Sequence, residues 1–139
     1  MNGGPPIRLR VPARAENVFV VRQALTGLGQ ALALDRAQID DIKIAVTEAC
    51  TNVVLHAYRD TSGTLEIEAW PGDGQLLVVV RDEGRGITPR AEPPTPGLGL
   101  GMPLMAALTE EMRIAHGPEG GTEVHMTFVL VPADEDHAG

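Results

Sequence analysis

The stretch Lys43-Ile-Ala-Val-Thr-Glu-Ala-Cys-Thr-Asn-Val-Val-Leu-His-Ala-Tyr58 holds no Pro or Gly and reads as one unbroken helix. Glu48, Asn52 and His56 stand four residues apart along it. Each such step drifts by only about 40° around an α-helix, so the three polar groups form one narrow line. Measured from Glu48, the apolar residues Ile39, Ile42, Val46, Ala49, Val53 and Ala57 lie roughly 100–180° away, with Asn52 and His56 between. The polar line thus borders the buried stripe. A solvated face needs no such placement, whereas a site at the seam between helix and core does. An amphipathic helix can carry a Glu and an Asn for no functional reason, so the rest of the chain must decide.

Outward from this helix, the chain alternates between periods of two and 3.6. Ile7–Val11 alternates apolar and basic residues, as a half-exposed strand does. Arg14–Leu34 places Val18, Val21, Leu25, Leu28 and Leu32 at helical spacing, with Gly27 and Gly29 weakening its second half. Asp35 is positioned to cap the central helix, predicted over 36–57. Thr64–Trp70 alternates Leu65, Ile67 and Ala69 with Glu66 and Glu68. Pro71–Gly74 reads as a turn, and Gln75–Arg81 as a central, nearly continuous apolar strand. Residues 83–103 are rich in Gly and Pro and read as a loop, with a short helix over Leu104–Glu111. Strands over Met112–His116 and Glu123–Val131 close the pattern, and the polar tail 132–139 is expected to fray. Both long helices precede the hairpin, so they must cover the same sheet face. The prediction is an α+β, two-layer sandwich of helices on a mostly antiparallel sheet. It forms one domain over residues 1–139 with its core in about 7–131.

Composition narrows the function. The chain has 139 residues, 43% apolar and 22% charged, with a formal net charge of −8. That balance argues against a nucleic-acid face, which would be basic, and against an anionic membrane surface. The lone Cys50 can form no intrachain disulfide and suits a reducing compartment. There is no apolar run of membrane-spanning length and no signal-peptide pattern, so the expected location is cytoplasmic.

Three further constellations carry chemistry. Asp82-Glu-Gly84-Arg-Gly86 ends the central strand, where a carboxylate can face a ligand amine while backbone passes close by. Gly97-Leu-Gly99-Leu-Gly101 leads into a helix, whose N-terminus favours an anion. It follows a loop and lacks the Gly-Lys-Ser/Thr of a Walker loop, so neither a Rossmann nor a P-loop reading holds. Gly120-Gly121-Thr122 opens the last strand and could bring a hydroxyl near Asp82. Each alone is equally well a turn or a flexible loop.

Taken in this order, the four signals resemble the GHKL ATP-binding fold over nearly the whole chain, from about Ile7 to Val131. The Glu-Ala-Cys-Thr-Asn-Val-Val-Leu-His-Ala-Tyr run and the compact length resemble the anti-sigma factor serine/threonine kinases of bacterial partner-switching systems. The resemblance implies ATP and Mg²⁺, with Asn52 coordinating the metal and Glu48 acting as general base toward a substrate serine. It implies Asp82 on the adenine amine and Thr122 supporting that end. Gly84, Gly86, Gly97, Gly99 and Gly101 would shape the pocket and a lid over about 87–103, ordered by nucleotide, and His56 would be a supporting group. The implied partners are a STAS-type anti-sigma-factor antagonist and a sigma factor, with a homodimer as a further expectation and no direct contact with nucleic acid or membrane. The chain departs from the family in one respect: no Lys or Arg lies between Ala91 and Glu111. The alternative is an adaptor that holds nucleotide without transferring phosphate. A histidine-kinase catalytic domain is disfavoured because no dimerisation helix precedes the domain.

Overall fold

The computed structural model describes residues 6–57, 63–83, 98–116 and 121–131. Nine elements follow in order: β1 (Ile7–Pro12), α1 (Ala15–Ala31), α2 (Arg36–Asn52) with a π-helical turn (Val53–Ala57), β2 (Thr64–Gly72), β3 (Gln75–Asp82), α3 (Leu98–Leu108), β4 (Glu111–His116) and β5 (Thr122–Val129). The strands form one five-stranded sheet in the order β1-β2-β3-β5-β4. Every neighbouring pair is antiparallel. β3 is central, as its continuous apolar run predicts.

Alternation sorts the side chains between two faces. The inner face carries Leu65, Ile67 and Ala69 on β2, Leu76, Val78 and Val80 on β3, and Val124, Met126 and Phe128 on β5. All three helices bury residues against this layer: Val21, Leu25 and Leu28 from α1, Ile42, Val46 and Ala49 from α2, and Met105 from α3. Each fully buried side chain of this size contributes about 1.5–3 kcal/mol. The two-layer arrangement is therefore as expected, with a third helix joining the two that the periodicity located.

Local details differ from the pattern reading for physical reasons. Asp35 occupies the N-cap position of α2 with an extended backbone, yet its side chain makes no capping hydrogen bond. Its carbonyl accepts from Ile39 N–H at 3.0 Å. The start of α2 is instead tied to the end of β5 by Gln38, which donates to Val129 O at 2.6 Å and accepts from Val131 N–H at 2.7 Å. α1 ends without a glycine: Ala33 takes a left-handed φ of 58°. There Leu34 N–H reaches Gly29 O and Ala33 N–H reaches Gln30 O, both at 3.0 Å, closing a Schellman-type C-cap. Gly29 serves packing, since a Cβ there would come within 2.5 Å of Ile39 Cγ1. The hairpin between β2 and β3 turns on Asp73 and Gly74 alone, whose φ values of 42° and 78° match a type I′ turn. Pro71 fits within β2 because β1 pairs only as far as Ala69, so no ladder bond is asked of its nitrogen.

The outer sheet face is charged. One rung runs Arg10, Glu66, Arg81, Glu123, Ala115 across the five strands. Arg81 donates to Glu123 at 2.8 Å, to Glu66 at 3.1 Å and to Glu68 at 2.9 Å. Arg8 adds a 2.8 Å bond to Glu68, and His125 lies 2.9 Å from Glu123. Within this lattice Glu68, and beneath it Val79, are buried although no helix among the described residues covers them. Burial pushes the Glu68 carboxyl up, but hydrogen bonds from Arg81 and Arg8 outweigh it and hold the carboxyl below the usual 4.5. Hydrogen bonds from Arg81 and His125 likewise hold Glu123 down.

A depressed carboxylate stabilises the fold above its unfolded value, and that contribution is lost as pH falls through the folded value. The melting temperature should therefore drop as pH falls below about 4.5, and a Glu68→Gln variant should show a shallower acid slope. Identical slopes for the two proteins would show that Glu68 adds no acid sensitivity.

Candidate functional site

The inner face is apolar until its last rung. There Val11, Leu65, Asp82, Thr122 and His116 cross the five strands. Asp82 ends β3 at 2% exposure, and Thr122, its direct partner, opens β5 at 1%. With Glu68, they are the buried polar residues of the described chain, and Glu68 belongs to the outer lattice. Gly121 makes the approach of the two strand ends possible, because a Cβ there would collide with the Asp82 carbonyl oxygen. Burying a carboxylate costs several kcal/mol unless it is hydrogen-bonded or paired. A polar pair at the end of an otherwise apolar layer therefore marks a place built for polar contacts.

α2 supplies the second set of groups. Glu48 and Asn52 are half-buried, while their neighbours Ala49, Cys50 and Val53 are buried. The polar line borders the core, as the helical spacing predicts. Gly29 of α1 abuts Ile39, nine residues before Glu48 and so roughly 180° from it around the helix. Glu48 and Asn52 consequently lie away from α1. α2 also packs against α3, β3 and β5, the strands that end in Asp82 and begin with Thr122. Cys50 on the same helix is fully buried, and burial pushes its thiol up to about 12, so it acts as a small apolar residue.

The other predicted residues are distributed as follows. His56 falls in the π-turn at Val53–Ala57, where a continuous α-helix was expected. π-turns of this kind are frequent beside functional sites. Gly84, Gly86 and Gly97 lie outside the described residues, as does the expected lid of about 87–103 up to residue 97. Gly99 and Gly101 form the first turn of α3, which starts at Leu98 rather than Leu104 and includes Pro103. The expectation of a loop through residue 103 is corrected accordingly. Leu and Met beside the glycines and the Leu-Met-Ala-Ala run after Pro103 favour helix, and Pro103, the sixth residue, removes the one bond its nitrogen would have made to the Gly99 carbonyl. The first-turn N–H groups of α3 have no intrahelical acceptor and can meet an anion.

A small cavity elsewhere, lined by Ile7, Leu9, Val21 and Ala24, is wholly apolar and offers nothing to a charged ligand. From the sequence, Arg81 is only the end of an apolar strand, and Gly121 is part of the Gly-Gly-Thr opening of the last strand with no sign of its close approach to Asp82. The signal for Arg81 is that its alternation with Asp82 puts it on the outer face, opposite Glu66.

Known proteins share this fold and much of this sequence. The profile described as Histidine kinase-like ATPase domain matches residues 11–128. The serine-protein kinase RsbW of Bacillus subtilis is 35% identical, over 98% of this chain and 92% of its own. The protein of the same name from Bacillus licheniformis is 33% identical, over 89% and 85%. Among solved structures, the RsbU and RsbW domains of Rv1364c from Mycobacterium tuberculosis superpose with a TM-score of 0.66 at 30% identity, over 93% of this chain and 34% of that one. The histidine kinase domain of a blue-light activated kinase from Erythrobacter litoralis gives 0.59 at 25% identity, over 86% and 62%. This chain thus spans about a third of the Mycobacterium chain and under two thirds of the Erythrobacter one. It belongs to the histidine kinase-like ATPase family and, within it, to the serine-protein kinases of the RsbW type.

Proposed function

We propose that the protein binds ATP and transfers its γ-phosphoryl group to a serine of a partner protein, an anti-sigma-factor antagonist. We also propose that it sequesters a sigma factor in a partner-switching system of the cytoplasm. The observation that carries this reading is the buried Asp82–Thr122 rung at the end of β3 and β5, which α2 overlies with Glu48 and Asn52 on its edge away from α1. Among the described residues no helix is long and apolar enough to cross a membrane.

Each group has a role suited to its chemistry. The Asp82 carboxylate accepts from the exocyclic amine of adenine, and Thr122 supports that end of the base. Asn52 offers an amide oxygen, the hard donor that Mg²⁺ prefers. Among the described residues no cluster of three His, Cys, Asp or Glu could hold a metal, which suits an ion held chiefly by phosphate oxygens with one side-chain ligand. Once bound there, Mg²⁺ offsets the charge that develops on the phosphates. Glu48, one helical turn from Asn52, takes the proton of the serine hydroxyl as its oxygen bonds to the γ-phosphorus. The bond from that phosphorus to ADP breaks, and ADP leaves. The first turn of α3, with Gly99 and Gly101, presents N–H groups to the phosphates. The homodimer expected from the family resemblance remains part of this reading, and sedimentation of the full chain measures it.

Two substitutions separate binding from transfer. Asn52→Ala should remove most of the Mg·ATP affinity while leaving the fold intact, since the residue borders the core without filling it. Calorimetry returning wild-type affinity would remove Asn52 from the site. Glu48→Gln keeps size and hydrogen bonding but cannot take a proton. It should retain ATP and partner binding and lose about 10²–10⁴-fold in phosphorylation of the partner serine. Labelled ATP with a purified antagonist reads this directly. Undiminished transfer would mean another base, and no transfer by the wild type would favour a nucleotide-holding adaptor.

A further inference from the structure

We infer that Arg81, on the sheet face opposite the site, is a positioning residue for the Asp82–Thr122 pair and thereby for base selectivity. The inference rests on the adenine role given to Asp82 above. The geometry is one of adjacent rungs. Arg81 and Glu123 are direct cross-strand partners, and the next rung is Asp82 with Thr122. One guanidinium joins three strands at this level: Nε donates to Glu123 of β5 at 2.8 Å, and Nη1 donates to Glu66 and Glu68 of β2 at 3.1 and 2.9 Å. These are the strands flanking β3, and Leu65 of β2 and Thr122 of β5 are the two neighbours of Asp82.

The rung stands at the last point where pairing can hold the strand ends. Asp82 is the final residue of β3 and Thr122 the first of β5. Strand ends fray, and a shift of one residue would move Asp82 to the outer face and turn Arg81 inward. Side chains opposite one another across a ladder stabilise one register, and the planar, five-donor guanidinium fixes direction as well as charge. Lysine in its place keeps the charge but offers a flexible point donor, which cannot hold three carboxylates in the same fork. The strands would stay paired over their apolar lengths, while Asp82 and Thr122 would lose their fixed separation. A hydrogen-bonded base is sensitive to that separation, and discrimination between bases depends on it.

The test measures ADP and GDP affinity by calorimetry on the full chain, for wild type, Arg81→Lys and Arg8→Gln, with the melting temperature of each. Arg8 bonds to Glu68 and pairs with Glu66 in the same lattice, both on β2, so it reports general loss of the lattice. Arg81→Lys should melt as a folded protein and lose about tenfold of the preference for ADP over GDP. Arg8→Gln should keep the wild-type preference. If Arg81→Lys does not fold, Glu123→Gln removes one partner of the fork and should lower the preference in the same direction. A folded Arg81→Lys, or in its absence a folded Glu123→Gln, with wild-type preference overturns the inference. An equal loss in Arg8→Gln also overturns it, because the effect would then be global. A wild type that binds ADP and GDP equally overturns the adenine role of Asp82 and this inference with it, whereas the other contrary results leave that role standing.

Discussion

β3 and β5 meet in antiparallel register, and that register decides what faces the helices. Val80 pairs with Val124 and Asp82 with Thr122 on the inner side, while Arg81 pairs with Glu123 on the outer side. A slip of one residue would send the guanidinium into the apolar layer and the valines to the surface. Burying one unpaired charge costs several kcal/mol, more than the roughly 1 kcal/mol net of a ladder hydrogen bond. The pairing is therefore specified by what each face excludes. It also delivers two polar groups to the same spot, from stretches forty residues apart.

The second requirement is met by α2. Its apolar residues must lie on the sheet, which leaves only its borders for groups that touch both core and ligand. The border toward α1 is closed where Gly29 lets the helices come together over Ile39. Glu48 and Asn52 take the other. Gln38 fastens the start of the helix to the end of β5, so the helix bearing Glu48 is tied to the strand bearing Thr122 at its far end. Distances within the site are thus set by rigid elements, as directed chemistry requires.

Much of this was legible because period and spacing are local properties. The two long helices, the central strand, the hairpin and the four-residue line on α2 all follow from residues close in sequence. What was not legible depended on partners far away. The C-cap of α1 uses Ala33 where a glycine would have announced it, and its neighbour Leu34 is buried. α3 begins six residues before the predicted start because packing of Met105 and the apolar run around it outweigh two glycines. The π-turn after Asn52 has no sequence signature. The outer lattice was half visible: Glu66 and Glu68 mark a wet face, but only cross-strand register shows that Arg81 stands between them and Glu123. Of the candidate site, Glu48, Asn52, Asp82 and Thr122 sit where the reading put them, and their chemical roles rest on the proposal.

Nucleotide seated at the Asp82–Thr122 rung, beside α2 and the start of α3, is open to amide chemical-shift mapping of the ¹⁵N-labelled chain titrated with Mg·ADP. The largest changes are expected at Asp82, Gly121, Thr122 and Asn52 and in the first turn of α3, with α1 little affected. Changes concentrated around Val21, Ala24 and Ile7, with the Asp82–Thr122 rung unmoved, would contradict it.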